Sequence, residues 1–164
     1  MRVDNGTVDI GTELKMAKPF TSLGHKVTLT LARTAAVIEH RFEETFREHG
    51  ITATQFNVLR ILRGAGAEGL CRNEIGERMV RRVPDVTRLL DRLEAETLIV
   101  RERTGEDRRF VSTRITRKGL TLLERVDPDV RAFEEEMVQH MSQERLTALV
   151  TLLDELRSGR HTDS

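Results

Sequence analysis

Two neighbouring arginines, Arg108 and Arg109, lie between two short stretches that are rich in β-forming residues, residues 98–103 and residues 110–113. Thr104, Gly105 and Glu106 lie just before the arginines and favour a turn. A guanidinium group is planar, always charged, and donates paired hydrogen bonds that match the geometry of phosphates and carboxylates. The pattern therefore predicts a β-hairpin whose tip carries two cations suited to an anionic partner.

A second group of arginines lies upstream, where Arg81 and Arg82 precede Pro84. We predict that Pro84 is the first residue of a helix, because its fixed φ suits that position and its missing N–H is not needed there. Apolar residues at 86, 89, 90 and 93 form the inward stripe of this helix. The residues left facing outward are polar or charged: Asp85, Arg88, Asp91, Arg92 and Glu96.

The charge is unevenly distributed along a chain of 164 residues whose formal net charge is zero. Residues 81–118 carry a net charge of +4, and residues 119–164 carry a net charge of −5. A basic middle followed by an acidic end indicates that one part of the chain meets a polyanion and another does not. The overall neutrality keeps a second interpretation open, in which the same fold is a protein-interaction module that never binds nucleic acid.

Long amphipathic helices are predicted on both sides of this basic region. The first covers residues 21–49 and ends at Gly50, which supplies a left-handed stop. The later ones begin after the caps Thr116 and Ser142, and Pro128 introduces a point where the first of them could kink. Residues 123, 126, 130, 133, 137 and 140 make one seam, and residues 146, 149, 150, 153 and 156 make the buried side of the last helix. Such faces need an apolar partner surface, which either a second copy of the chain or the chain's own domain supplies.

The central order of elements is helix, short helix, turn, helix, strand, charged loop and strand, which is a winged helix-turn-helix. We therefore predict a mainly α fold with one small β-hairpin, flanked by long N- and C-terminal helices. In this fold the second helix of the pair fits the major groove of duplex DNA, and the hairpin reaches the neighbouring minor groove, where arginine is favoured. We expect Asp107, which shares the charge sign of DNA, to hold the neighbouring arginine or the turn amides in place.

The stretch ERMVRRVPDVTRLLDRLEAETLIVRERTGEDRRFVSTRITRKG resembles the DNA-binding core of the MarR (multiple antibiotic resistance regulator) family. The matching features are the VTRLLDRLE helix, the DRR hairpin tip and the ITRKG at the end of the second strand. Two positions depart from the family pattern: Thr97 stands where glycine is frequent, and Cys71 stands where a Ser or Thr helix cap is usual. With the flanking helices, the resemblance covers about residues 21–157.

The resemblance implies a homodimeric bacterial transcription regulator, and we expect a repressor, that binds pseudo-palindromic double-stranded DNA in the cytoplasm. It also implies release by a small lipophilic or phenolic effector of unknown identity. The organisation expected from it is an N-terminal tail (1–20), a dimerisation helix (21–50), a winged helix-turn-helix (51–117) and C-terminal dimerisation helices (118–164). Arg109 is then the arginine expected to enter the minor groove, with Asp107 as its anchor. The full set of expected DNA-contacting residues is Arg81, Arg82, Pro84, Asp85, Thr87, Arg88, Arg92, Arg108 and Arg109.

Each of these assignments has an alternative at the level of single residues. Arg88 and Thr87 could instead form surface pairs with Asp85 or Asp91, and Asp85 could serve the helix dipole rather than a cytosine.

The five histidines lack metal-ligand spacing, and no phosphate loop or catalytic pairing is present, so we predict neither a metal, nor a cofactor, nor an enzyme. Cys71 is expected at a half-buried cap rather than as a redox sensor.

Overall fold

The computed structural model describes residues 8–103 and 111–159. Within them the chain forms seven α-helices and one antiparallel hairpin, which confirms the predicted fold class. None of the described helices is both long enough and apolar enough to cross a membrane. The elements in chain order are α1 (Ile10–Glu13), α2 (Leu23–Glu48), α3 (Ala53–Ala65), a 3₁₀ turn (Gly66–Glu68), α4 (Arg72–Arg78), α5 (Val86–Ala95), β1 (Ile99–Arg103), β2 (Val111–Ile115), α6 (Arg117–Val138) and α7 (Gln143–Ser158).

Contacts divide the chain into two compact units, residues 1–44 and residues 45–164. The first unit contains α1, a single turn for which the apolar pattern gave no sign. Asp9 caps α1 by accepting a hydrogen bond from the backbone N–H of Gly11, and it also pairs with Lys26. Glu13 pairs with Arg33. Because α1 is held by a cap and ion pairs rather than by an apolar repeat, periodicity could not reveal it.

Capping residues fix the helix boundaries in the second unit, and Gly50, Thr116 and Ser142 are the ones predicted above. Gly50 has a φ of 72° just after α2 ends. Thr52 and Gln55 form a reciprocal capping box at the start of α3, with bond lengths of 3.1 and 2.9 Å. Thr116 accepts from the N–H of Gly119 to start α6, and Ser142 accepts from the N–H of Arg145 to start α7. Local hydrogen bonding therefore determines where these helices begin.

The core of the second unit brings α3, α4, α5, the hairpin and α6 together. Helix α6 runs without interruption from Arg117 through Pro128 to Val138. These elements and the end of α2 supply the fully buried side chains: Phe46, Val58, Leu59, Leu62, Ile75, Leu90, Leu93, Ile99, Thr113, Leu123 and Val126. This shared core fixes the position of α5 relative to the hairpin.

The hairpin pairs Ile99 with Ile115 at its base, and Arg103 with Val111 at the last described pair before its tip. Leu70 adds a third, one-residue strand, since it exchanges backbone hydrogen bonds of 3.0 and 2.8 Å with Thr113. Gly69 allows this close approach: a Cβ atom there would lie 2.5 Å from the carbonyl oxygen of Thr113. The base of the hairpin is therefore bound to the segment that follows α3.

The predicted burial of the terminal helices is only partly present in the single chain. In α6, Leu123, Val126, Val130 and Phe133 are buried, whereas the later seam residue His140 is exposed. Within one chain α7 contains no buried residue, so the chain's own domain does not bury the apolar side that the sequence predicts. Its large exposed apolar side chains are Leu149, Val150, Leu152 and Leu156. Helix α2 similarly leaves Leu23 78% exposed.

Candidate nucleic-acid interface

Helix α5 presents a polar face to solvent on the outside of the second unit. Leu90 and Leu93 are 1% and 0% exposed, while Val86 and Leu89 are half-buried, so the predicted inward stripe is confirmed. The positions predicted to face outward are all exposed: Asp85, Arg88, Asp91, Arg92 and Glu96. Thr87 is exposed as well.

The start of α5 differs from the sequence prediction. The helix begins at Val86 and its N-cap is Asp85, so its first residue lies two positions after the predicted one, Pro84. The carboxylate of Asp85 accepts a hydrogen bond of 2.9 Å from the backbone N–H of Arg88. Pro84 therefore precedes the helix rather than being its first residue. A side-chain oxygen that satisfies an otherwise unpaired helix N–H stabilises this end more directly than proline does.

The turn before α5 contains Val80 to Pro84 and follows α4, which ends at Arg78. Its C-cap Met79 has an extended backbone, and the N–H of Val80 donates to the side chain of Asn57 over 3.1 Å. Arg81, Arg82 and Pro84 are all exposed. Most of the predicted contact residues therefore lie together on one surface, formed by this turn and the outer face of α5.

The acidic residues of α5 are occupied by partners within the chain. Asp91 lies 2.7 Å from a guanidinium nitrogen of Arg101 in β1. Glu94 accepts from the Nε of Arg101 over 2.8 Å and from its backbone N–H over 3.2 Å. These bonds lower the pKa of Glu94 and raise the pKa of Arg101, with their mutual hydrogen bond as the main cause. The pairing also ties α5 to the hairpin.

The arginines on the same face are left without acidic partners. Neither Arg88 nor Arg92 forms a salt bridge with any residue that the structure describes. The surface pair of Arg88 with Asp85 or Asp91, which the sequence left open, is not present. The outer face of α5 therefore carries two unneutralised guanidinium groups, as a surface for an anionic ligand requires.

Arg72, at the first position of α4, was missed by the sequence reasoning. Its guanidinium group lies 3.4 Å from the hydroxyl of Thr87 on α5 and 3.2 Å from the side chain of Asn73. It therefore adds a third cation beside the start of α5. The sequence carried a weak signal for this residue. Arg72 directly follows the cap Cys71, so it lies in the first turn of α4, the helix before α5.

Cys71 occupies the N-cap of α4, as expected, and it is half-buried. Its backbone N–H donates to Glu74 over 2.7 Å, and this bond is the main reason that the pKa of Glu74 is lowered. Across the described residues, no group of three or more His, Cys, Asp and Glu side chains is placed to hold a metal ion.

The C-terminal end of α5 is closed by residues from the start of α6. Thr97 has a φ of 58°, so this β-branched residue adopts the left-handed conformation in which glycine is usual. The ammonium group of Lys118 donates to the carbonyl of Glu96 over 2.7 Å and to the hydroxyl of Thr97 over 3.1 Å. The hydroxyl of Thr116 donates to the carbonyl of Thr97 over 2.7 Å. These bonds take the place of the missing glycine.

The predicted tip residues Asp107, Arg108 and Arg109 lie outside the described residues. What the structure describes is the base that would support them. Ser112 donates from its hydroxyl to the carbonyl of Glu68 over 2.7 Å, and Arg114 pairs with Glu102 across the two strands. The hairpin is therefore anchored on both of its strands and through Leu70.

Comparison with known proteins identifies the family. The MarR family model matches residues 49–109. The HTH-type transcriptional regulator MhqR of Bacillus subtilis (strain 168) is 30% identical over 128 residues, which cover 78% of this chain and 87% of MhqR. A MarR transcription factor from Planctomyces limnophilus is 35% identical, with a TM-score of 0.64, and the match covers 83% of this chain and 98% of that one.

A structure of S. aureus MepR in complex with DNA shares the fold, with a TM-score of 0.75 at 23% identity, over 87% of this chain and 100% of that one. These relatives are named as transcription regulators rather than as enzymes. Taken with the helix, turn, helix and hairpin described above, they show that the chain belongs to the MarR family of transcriptional regulators.

Proposed function

We propose that this protein is a homodimeric repressor that binds pseudo-palindromic duplex DNA through α5 and the hairpin tip. The observation that carries the proposal is the distribution of charge on α5. Asp91 and Glu94 share one ion-pair partner, Arg101, and Asp85 is engaged as a cap, while Arg88 and Arg92 form no salt bridge with a described residue. Two unpaired guanidinium groups therefore face outward on a helix of the right size for the major groove.

Each side chain has a role that follows from its place on this surface. Arg88, Arg92 and Thr87 face the bases or the adjacent phosphates, since they lie on the exposed face of α5. Arg81 and Arg82 approach the backbone at the turn, and Pro84 shapes that turn. Arg109 enters the flanking minor groove with Asp107 as its anchor, and Arg108 contacts the DNA beside it. Asp85 acts through the cap, since its carboxylate accepts the hydrogen bond of the Arg88 N–H.

A homodimer follows from the uncovered apolar faces of the terminal helices. Leu149, Leu152 and Leu156 are 42%, 62% and 56% exposed and fall at helical spacing on α7. Contiguous exposed apolar surface of this kind marks an association site. A second copy that covers these faces places two α5 helices about 10 bp apart on the duplex. Residues 21–50 and 118–164 are then the dimerisation regions around the reading domain at 51–117, with residues 1–20 as a separate N-terminal tail.

MarR-type regulation also implies a small-molecule effector that changes the separation of the two reading helices, so that the dimer no longer fits successive turns of DNA. Because its ligand is chromosomal DNA, the protein works in the bacterial cytoplasm. The rival function is a winged-helix module that binds only proteins, and the zero net charge is the feature that favours it.

Selection of duplexes from a random or genomic pool, followed by a salt titration, tests the proposal. We expect an enriched palindrome and an affinity that falls steeply with salt through counterion release. Arg88→Ala should weaken binding about 5- to 150-fold, corresponding to the loss of one good contact worth about 1–3 kcal/mol. Arg60→Ala is the matched control, because Arg60 is an exposed arginine on α3 that belongs neither to the proposed contact set nor to the dimerisation regions. No enriched duplex, or equal affinity of the two variants, would refute the proposal.

A further inference from the structure

Strand β1 carries two arginines on the face of the hairpin that turns toward α5, and their surroundings differ. Successive side chains of a strand point to opposite faces, so Ile99, Arg101 and Arg103 lie on one face. Ile99 is buried at the base of the hairpin, Arg101 is half-buried, and Arg103 is exposed. The pair formed by Glu102 and Arg114 belongs to the opposite face. The face toward α5 therefore ends, just before the tip, in an exposed cation.

Arg101 fixes the distance between this face and α5. Its guanidinium group lies 2.7 Å from Asp91, and its Nε donates to Glu94 over 2.8 Å. Helix α5 ends at Ala95, and β1 starts four residues later, yet Arg101 reaches back as far as Asp91. The strand therefore runs alongside the last turns of α5, in the direction of the N-terminal end of the helix.

Arg103 has no partner of this kind. It forms no salt bridge and no side-chain hydrogen bond with any residue that the structure describes. It lies two residues beyond Arg101, which is about 7 Å closer to the tip. On α5, Arg88 lies three residues before Asp91, about 4.5 Å further toward the N-terminal end, and it also lacks an acidic partner among the described residues. By this geometry, Arg103 and Arg88 lie on opposite sides of the open end of the gap between the hairpin and α5.

Duplex DNA has an anionic strand that fits this gap. One sugar-phosphate backbone separates each major groove from the next minor groove. The proposed function places α5 in a major groove and the hairpin tip in the adjacent minor groove. The backbone between these two grooves must then pass between α5 and β1, where Arg103 is the unpaired cation on the hairpin side.

We propose that Arg103 binds a phosphate of this intervening backbone, while Arg101 holds the hairpin at the distance from α5 that the backbone requires. The inference rests on the proposed DNA-binding function and adds a residue to its contact set. A phosphate contact carries no sequence information, so Arg103 contributes affinity and fixes the register of the hairpin on the duplex. Arg101 does not bind the phosphate, because its guanidinium group is already shared by Asp91 and Glu94.

Salt titrations of the full chain with the duplex enriched by the selection described above test this role. Arg103→Gln should weaken binding at least fivefold. It should also reduce the slope of log affinity against log salt concentration by about 0.9 per subunit, the value for one phosphate contact. Arg103→Lys keeps the charge and should lose less than threefold, because an ammonium group also binds phosphate.

Arg60→Gln is the matched control and should change neither the affinity nor the slope, since Arg60 is an exposed arginine on α3 outside the contact set. Circular dichroism checks that each variant folds, as expected for exposed side chains. An unchanged salt slope for Arg103→Gln, or an Arg103→Lys variant as weak as Arg103→Gln, would contradict a phosphate contact made through charge.

Duplexes in which single phosphates are replaced by neutral methylphosphonates identify the partner of Arg103. We expect one position in each half-site, on the backbone between the groove of α5 and the groove of the tip, where the replacement weakens the wild type at least threefold and leaves Arg103→Gln unaffected. Base changes should weaken the wild type and Arg103→Gln by the same factor, because the contact does not read sequence. Independent losses at every phosphate, or a loss that depends on the base sequence, would overturn the inference.

The outcomes distinguish this inference from the proposed function. If Arg88→Ala weakens binding of the selected duplex and Arg103→Gln does not, α5 binds DNA and the role assigned to Arg103 is wrong. If the wild type binds no duplex, the proposed function is wrong and the role of Arg103 fails with it.

Discussion

Gly69→Ala should destabilise the protein through the hairpin anchor. The backbone of Gly69 has a φ of 69° and a ψ of −167°, a region that is essentially restricted to glycine and costs other residues about 1–3 kcal/mol. The added Cβ would also lie 2.5 Å from the carbonyl oxygen of Thr113, and real Cβ contacts are almost never below 3.0 Å. The strand must therefore move by at least about half an ångström, which breaks or lengthens the two bonds between Leu70 and Thr113.

The size of the second effect follows from the burial of Thr113, which is 1% exposed. Losing one backbone hydrogen bond and leaving its buried partner unsatisfied costs about 1–3 kcal/mol. Gly66→Ala is the matched control, since Gly66 has a φ of 68° and a ψ of −148° but nothing within 4 Å of the added Cβ. Both variants carry the backbone strain, and only Gly69→Ala adds the clash. Their stabilities should differ by about 2 kcal/mol.

Urea unfolding followed by circular dichroism, at one protein concentration, measures the difference. About 2 kcal/mol corresponds to a shift of roughly 1 M in the urea midpoint, since small proteins lose about 1–3 kcal/mol per molar urea. Equal midpoints for the two variants would show that the close approach at Gly69 does not hold the hairpin. Because the anchor also supports the tip, Gly69→Ala should weaken DNA binding more than Gly66→Ala does.

Two further predictions concern the ends of α5. Thr97→Gly should raise the melting temperature by a few degrees, because glycine relieves the left-handed strain at this position, about 1–2 kcal/mol. This gain exceeds the extra chain entropy of glycine, and Lys118 keeps its bond to Glu96, so a lower melting temperature would contradict the prediction. Glu94→Gln should cost less than about 1 kcal/mol near pH 7, since Glu94 is 37% exposed and solvent screens its pairing with Arg101. Because that pairing holds the pKa of Glu94 below its ordinary 4.5, the stability cost of Glu94→Gln should be fully present above pH 4.5 and should fade as the pH falls through the lowered pKa. Urea midpoints of the variant and the wild type measure this cost, and an equal cost at neutral and acidic pH would contradict the prediction.

Much of the fold could be predicted from the sequence because its signals act over a few residues. The capping box of Thr52 and Gln55, the caps Thr116 and Ser142, and the left-handed Gly50 all satisfy backbone groups within three or four positions. The outward face of α5 followed in the same way from its apolar period. Local hydrogen bonding and periodicity are properties of the chain itself, and the structure agrees with them.

Predictions failed where two local signals competed or where a partner surface was needed. Pro84 and Asp85 both suit a helix start, and the carboxylate bond of Asp85 to the Arg88 N–H decided where α5 begins. The predicted apolar side of α7 includes Leu149, Val150 and Leu156, yet all three are exposed in one chain. Periodicity predicts which face seeks burial, but it does not say which surface covers it.

By itself, the sequence predicted the family, the winged helix-turn-helix order and most of the arginines that could face DNA, but neither α1 nor Arg72. Only the tertiary structure decided which of those charges have partners: Arg101, brought to α5 by strand β1, pairs with Asp91 and Glu94, whereas Arg88 and Arg92 form no salt bridge with a described residue. The physical reason is that Coulomb pairing depends on distance in space, and residues far apart along the chain become neighbours only when the core has packed.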